Sequence, residues 1–307
     1  MSGYKTLYFL IILVISITAG GCVSMEQTIY LGNTEAYSPV AVPPVHVDAS
    51  PETGKLNVSP RFYISSQKSV EGKTENHYYP GQIPSDTMKY TVKENNLNWN
   101  IPEVNLGVDL DFEVTKSFGL FGGINYSNSD QKDFWGGNFG LGIFNKGENS
   151  VIRFDAGFVY QQHFYNAQTI VYTKEMFGSK KEYFVLFIDQ GDRFNLNPFF
   201  TFTVNSINKE TPFNYFFSLG YFTQNLLDFE PGRRADGAPF TYRPDVLTTD
   251  LRAECKAAFL LLTPGISYRL DKQVNLNFNL KIMKEFNIKS ASQSWFAFPS
   301  FQMDWEM

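Results

Sequence analysis

Residues 104–115 alternate without exception: Val104, Leu106, Val108, Leu110, Phe112 and Val114 interleave with Asn105, Gly107, Asp109, Asp111, Glu113 and Thr115. Successive side chains of a strand point to opposite faces, so this stretch predicts a β-strand with one apolar and one polar face. It is long enough to cross a membrane, for which a tilted strand needs about 9–11 residues. The rule continues down the chain. Residues 118–127 place Phe118, Leu120, Ile124 and Tyr126 together, and 134–145 set Trp135, Phe139, Leu141 and Ile143 against Gly136, Asn138, Gly140 and Gly142. Residues 151–174 set Ile152, Phe154, Phe158 and Tyr160 against Arg153, Asp155, Gln161 and His163. Further strands are predicted at 182–206, 213–224, 251–270, 274–286 and 295–305, with 55–66 opening the series. A change of phase near Thr263-Pro264 predicts a bulge.

The joins between these strands are asymmetric. Thr115-Lys116-Ser117 and residues 145–149, 208–211 and 270–273 are tight and polar; on the other side, 68–96, the tip at 176–181 and 225–249 are longer or carry strands far outward. Residues 128–132 and 287–294 are the short joins on that side. Short turns at one end and long loops at the other are the habit of outer-membrane barrels. A lipid-tethered β-sandwich or lipocalin-like barrel would carry charges on its outer strand faces, and these faces carry almost none. The expected fold is therefore all-β: a single-chain antiparallel transmembrane β-barrel over residues 55–307, of about ten strands, with eight to twelve compatible with the pattern.

The N-terminal part differs. Lys5, an apolar run over residues 7–17 and small residues after it predict a signal peptide over 1–21, the run being about half the roughly 20 residues a spanning helix needs. Ala19-Gly20-Gly21-Cys22 resembles the lipobox of bacterial lipoproteins, with Ala19 where Leu is usual. That resemblance implies a diacylglyceryl anchor on Cys22 and a free thiol at Cys255. Residues 22–54 read as an extended tether, because Pro39, Pro43, Pro44 and Pro51 oppose regular structure. The tether could be a plain spacer, lie along a barrel rim or enter the lumen; all three stay open.

Composition narrows the classes. The chain has 307 residues, 26 Lys+Arg against 31 Asp+Glu, and a net charge of −5, which argues against a nucleic-acid binder with its basic stripe. Two Cys make neither a disulfide framework nor a Cys₄ zinc site. A mean hydropathy of −0.23 excludes a helical-bundle membrane protein but not a barrel, whose alternating faces average out.

The leader with Cys22, the Pro-rich lead, the start Gly54-Lys55-Leu56-Asn57-Val58 and the alternating Phe-rich strands resemble small outer-membrane barrel lipoproteins of Bacteroidota-type bacteria. The resemblance spans the whole chain and implies an address, the bacterial outer membrane with an N-terminal lipid anchor, rather than an activity. The ending Asp304-Trp305-Glu306-Met307 departs from the aromatic last residue usual for such barrels.

The same period assigns a lumen. Asp109, Asp111, Glu113, Asp155 and Glu254 are expected inward, facing Arg153, Arg252, Lys256, Arg269 and Lys281. Near-balanced charges in a narrow tube should pair, because an isolated buried charge costs several kcal/mol. They form either a salt-bridged plug or the constriction of a small passive pore. An enzyme reading rests on His163 near the long-loop rim with Asp155, Asp189, Asp192 and Tyr165, since a rim histidine beside a carboxylate can act as a base. No spacing supports it: the chain has three His, with no metal constellation, no phosphate loop and no nucleophile elbow. The expectation is no catalysis, no metal and no cofactor. Tyr78, Tyr79, Arg233 and Arg234, in the two longest loops, are candidate binding residues for an extracellular ligand or other envelope proteins, or for lipid headgroups. The function expected is a membrane-embedded scaffold or surface-binding protein; the alternatives are a passive pore and a rim enzyme.

Overall fold

The computed structural model describes residues 25–47, 55–65, 69–73, 75–78, 88–93, 96–129, 132–175, 182–208, 210–229, 251–286 and 295–307, and within 25–33, 71–96, 168–189 and 227–255 it describes backbone alone. Fifteen strands occur among them: β1 Met25–Tyr37, β2 Leu56–Ile64, β3 Ser69–Lys73, β4 Glu75–Tyr78, β5 Met88–Lys93, β6 Asn96–Asn100, β7 Val104–Thr115, β8 Phe118–Asn128, β9 Asp133–Lys146, β10 Ser150–Glu175, β11 Glu182–Ser206, β12 Phe213–Phe229, β13 Leu251–Arg269, β14 Val274–Glu285 and β15 Trp295–Glu306.

Ten of these close a barrel in the order β2-β7-β8-β9-β10-β11-β12-β13-β14-β15, with β15 returning to β2. Every neighbouring pair in the ring is antiparallel. Closure pairs every ring strand on both sides within the outer apolar belt, a surface that an open sheet edge would turn into an aggregation site. The predicted faces appear as read: along β7 Val104, Leu106, Val108, Leu110, Phe112 and Val114 are exposed, while Asn105, Asp109, Asp111 and Glu113 are buried in the lumen. No bulge occurs at Thr263-Pro264, where the register of β13 against β12 runs unbroken; the irregularity lies on β12, between Asn225 and Leu227.

The outer face carries an apolar belt bounded by aromatic rings. At the long-loop end Tyr126 and Trp135 pack at 5.0 Å and Tyr160 stacks on Phe194 at 4.8 Å; at the short-turn end Phe213 meets Tyr268 at 5.0 Å. On β15, exposed Trp295 and Trp305 mark the two borders. They are ten residues apart, about 34 Å along a strand and about 26 Å along the barrel axis at a tilt near 40°. The apolar band of an outer-membrane barrel is about 25 Å tall.

Five strands lie beyond the ring. β9 pairs with β10 only as far as Gln161, and from Phe164 to Glu175 its place beside β10 is taken by β1. β1 pairs in parallel with β5 and β6, β3 pairs with β6, and β4 pairs with the far end of β13. Residues 25–37 are thus a strand, with a register shift against β10 between Leu31 and Thr34, where the sequence predicts an extended tether without regular structure. The alternating pattern is absent there because β1 has sheet neighbours outside the apolar belt and needs no apolar face.

Candidate functional site: a lumen filled by its own chain

β1 runs antiparallel to β10 and so descends toward the barrel, ending at Tyr37 beside Phe164. Residues 38–47 continue inside and are buried throughout. Gln224 of β12 holds the entry: its Oε1 accepts the Ala41 N–H at 2.9 Å, and its Nε2 donates to the Pro39 carbonyl at 2.9 Å and to Ser38 Oγ at 3.2 Å. The Trp99 indole of β6 donates to the Ser38 carbonyl at 3.1 Å. Deeper, Lys281 of β14 donates to the Pro43 carbonyl at 3.4 Å, and Gln302 of β15 to the Val45 carbonyl at 3.4 Å. His46 reaches Asp155 of β10, Nδ1 to Oδ2 at 3.1 Å, and its ring lies 4.6 Å from that of Phe121. The next described residue, Lys55, precedes β2 at the short-turn end, where Leu56 and Met307 exchange backbone hydrogen bonds. The chain therefore enters the barrel at the long-loop end, runs inward over residues 38–47, and from Lys55 is wall at the far end. We call residues 38–47 the strap.

Three environments surround the strap. Toward the long-loop end, Phe222, Phe259, Leu261, Met283, Phe296 and Phe298 form one apolar cluster with Trp99, Val40, Ala41 and Val42. The rings of Phe222 and Phe259 stack at 4.8 Å, and Phe296 meets Phe259 edge-on at 5.7 Å. Toward the short-turn end, β7–β10 carry charge. Arg153 donates bidentately to Asp111, at 2.6 and 2.8 Å, and through Nε to Asp155 at 2.7 Å. Arg61 pairs with Asp109 at 3.0 Å, Asn138 donates to Asp109 at 2.6 Å, and Lys146 pairs with Glu113. Planar bidentate pairing suits guanidinium and carboxylate, and it leaves fewer lone pairs unmet in a buried site. On β11–β13 the buried wall is neutral, with Thr203, Ser218, Thr263 and Ser267 fully buried. β14 and β15 add the buried charges Lys281, Glu285, Asp304 and Glu306, and Asp304 accepts from Asn277 and, at 2.6 Å, from Gln302.

Of the charges read from the sequence, Asp109, Asp111, Glu113, Arg153, Asp155 and Lys281 are buried inside the barrel. Arg269 is half-buried at the short-turn end and donates to the Asn208 carbonyl at 2.9 Å. Lys256 departs from the expectation and is exposed: odd-numbered residues of β13 face inward through Ala257, Phe259 and Leu261, which turns 256 outward. The expected change of phase is absent, and this is the reason for the difference. Tyr78, expected in a loop, is the last residue of β4, paired with Leu251 of β13. Its side chain and those of Arg252 and Glu254 are not described, and Tyr79, Arg233, Arg234 and Cys22 lie outside the described residues. Arg61, Lys146 and His46 belong to the luminal set and were not singled out. Arg61 shares the parity of Ser59 and Tyr63 on β2, so period 2 could have found it, whereas nothing periodic marks His46.

His163 is buried and accepts from the Asn195 amide at 3.1 Å, with Tyr165 stacked at 6.4 Å. Of the carboxylates read beside it, Asp155 and Asp192 are engaged elsewhere, and the side chain of Asp189 lies outside the described residues. Asp155 lies eight residues down the strand, about 27 Å away along it, and is engaged by Arg153 and His46. Asp192 is exposed and paired with Lys132. Among the described residues no group of His, Cys, Asp and Glu could hold a metal ion.

No protein-family model matches this chain, and no curated protein does. Among solved structures, the outer membrane protease OmpT of Escherichia coli is similar at a TM-score of 0.42 with 8% identity, over 85% of this chain and 97% of that one. The NanC porin gives a TM-score of 0.29 at 8% identity, over 82% and 100%, and the CymD monoaromatic hydrocarbon channel 0.30 at 8%, over 83% and 89%. At such similarity the neighbours' activities do not carry over; the barrel stands on its own strand pairing.

Proposed function

We propose that this is an outer-membrane β-barrel closed by its own N-terminal segment, acting as a membrane-embedded scaffold that holds β-structured surface outside the cell, without catalysis. The belt of exposed apolar side chains between two aromatic borders supports the membrane setting, with the short turns on the periplasmic side. The observation that carries closure is the strap: residues 38–47 are all buried and are bound to four strands of the ring. Apolar packing lies above, paired charges and fully buried amides and hydroxyls below; a continuous water path would leave those polar side chains exposed. The surface offered outside is the tall β10–β11 hairpin with β1, β3, β5 and β6 added to its side. The lipid anchor at Cys22 belongs to the same proposal and rests on sequence alone. Labelling with an alkyne fatty acid, lost in Cys22→Ala, is the expected result.

Single-channel recording on detergent-purified protein, with folding established by a heat-dependent gel shift, tests closure. Silence is expected. Discrete, stable current steps from folded protein would replace the scaffold with the passive pore.

A further inference from the structure

Most hydrogen bonds from surrounding side chains to the strap go to its backbone rather than its side chains. Gln224 grips the Pro39–Ala41 peptides with both ends of its amide, Trp99 takes the Ser38 carbonyl, Lys281 the Pro43 carbonyl and Gln302 the Val45 carbonyl. The strap lacks three of its ten backbone N–H groups because positions 39, 43 and 44 are proline, so fewer donors need partners inside the barrel. Proline also holds the chain extended before it binds, which lowers the ordering cost. The side chains between are small and apolar, and they meet the aromatic cluster. Side-chain-specific hydrogen bonds occur at the two ends, Ser38 Oγ with Gln224 and Trp99, and His46 with Asp155. Backbone donors and acceptors together with aromatic packing recognise proline-rich segments in general.

We propose that the lumen is a binding site for one extended, proline-containing peptide with small apolar side chains and an imidazole at its deep end, filled in this chain by residues 38–47. The site has the chemistry to accept the same kind of segment supplied in trans. This rests on the closed-barrel reading, and the two fail differently: currents from the intact protein overturn closure, while the outcomes below bear on the peptide site alone.

The experiment replaces residues 48–54 by a protease site in the full-length chain, lets the protein fold, and cuts it in detergent. The cut fragment is expected to stay bound through gel filtration, and a fluorescent synthetic peptide of residues 34–50, added in excess, is expected to exchange in and co-elute with the barrel. A peptide with Pro39, Pro43 and Pro44 replaced by Gly should bind roughly tenfold more weakly, and Gln224→Ala should weaken the parent peptide by a similar factor. If the peptide never exchanges into a cut barrel that still shows the gel shift, or if the Gly peptide binds equally well, the proposal is overturned.

Discussion

Arg153 is the side chain on which the charged half of the lumen turns. It sits 1% exposed between Asp111 and Asp155, with its guanidinium 5.4 Å over the Phe144 ring, and Asp155 in turn holds His46 of the strap. Arg153→Ala leaves two buried carboxylates without their cation, which costs about 3–5 kcal/mol. Urea unfolding in detergent, followed by tryptophan fluorescence, should show that loss; a change below about 1 kcal/mol would mean that these charges behave as solvated surface pairs. The facing glycine is part of the same arrangement. Gly142 is opposite Asp155, and a Cβ there would come within 2.4 Å of the carboxylate and 2.8 Å of the guanidinium. At outward Gly122 the nearest atom is an ordinary 3.4 Å away. Gly142→Ala is therefore expected to lower the unfolding midpoint, and Gly122→Ala to leave it nearly unchanged.

At the scale of elements, β7 gives the sharpest expectation. If the belt lies in lipid, Val108→Arg near its middle should cost about 2–4 kcal/mol and Val114→Arg near the short-turn border about 0–1 kcal/mol. Equal costs at the two depths, measured in the same unfolding assay in lipid, would remove the membrane reading. The barrel strands were legible because an exposed apolar face and a buried polar interior impose a strict period of two. β13 shows where that legibility stops. A proline at 264 invites a bulge, yet the strand passes it in register with β12, and the irregularity falls on β12 instead. β1 and the strap left no periodic mark at all, since their partners are set by tertiary contacts: β10 on the outside, and Gln224, Lys281, Gln302 and Asp155 within.

For the whole molecule the informative feature is the direction of threading. Met25 pairs with Glu175 high on the β10–β11 hairpin, while Lys55 lies at the opposite end, where it pairs with Glu306. With the short turns in the periplasm, Met25→Cys should react with a membrane-impermeant maleimide on intact cells, above the background of native thiols. Lys55→Cys should react only once the outer membrane is permeabilised. The reverse pattern would invert the orientation. Threading also sets what the strap can do while the chain is whole. From Val47 to Lys55 there are eight peptide units, so the strap can rise outward by no more than about 28 Å before the chain is taut. Movement the other way would require β1 to leave β10 and pass through the ring. Tension applied to β1 would thus travel along covalent backbone to the first wall strand at the short-turn end, making the lumen the path of a mechanical linkage from one end of the barrel to the other.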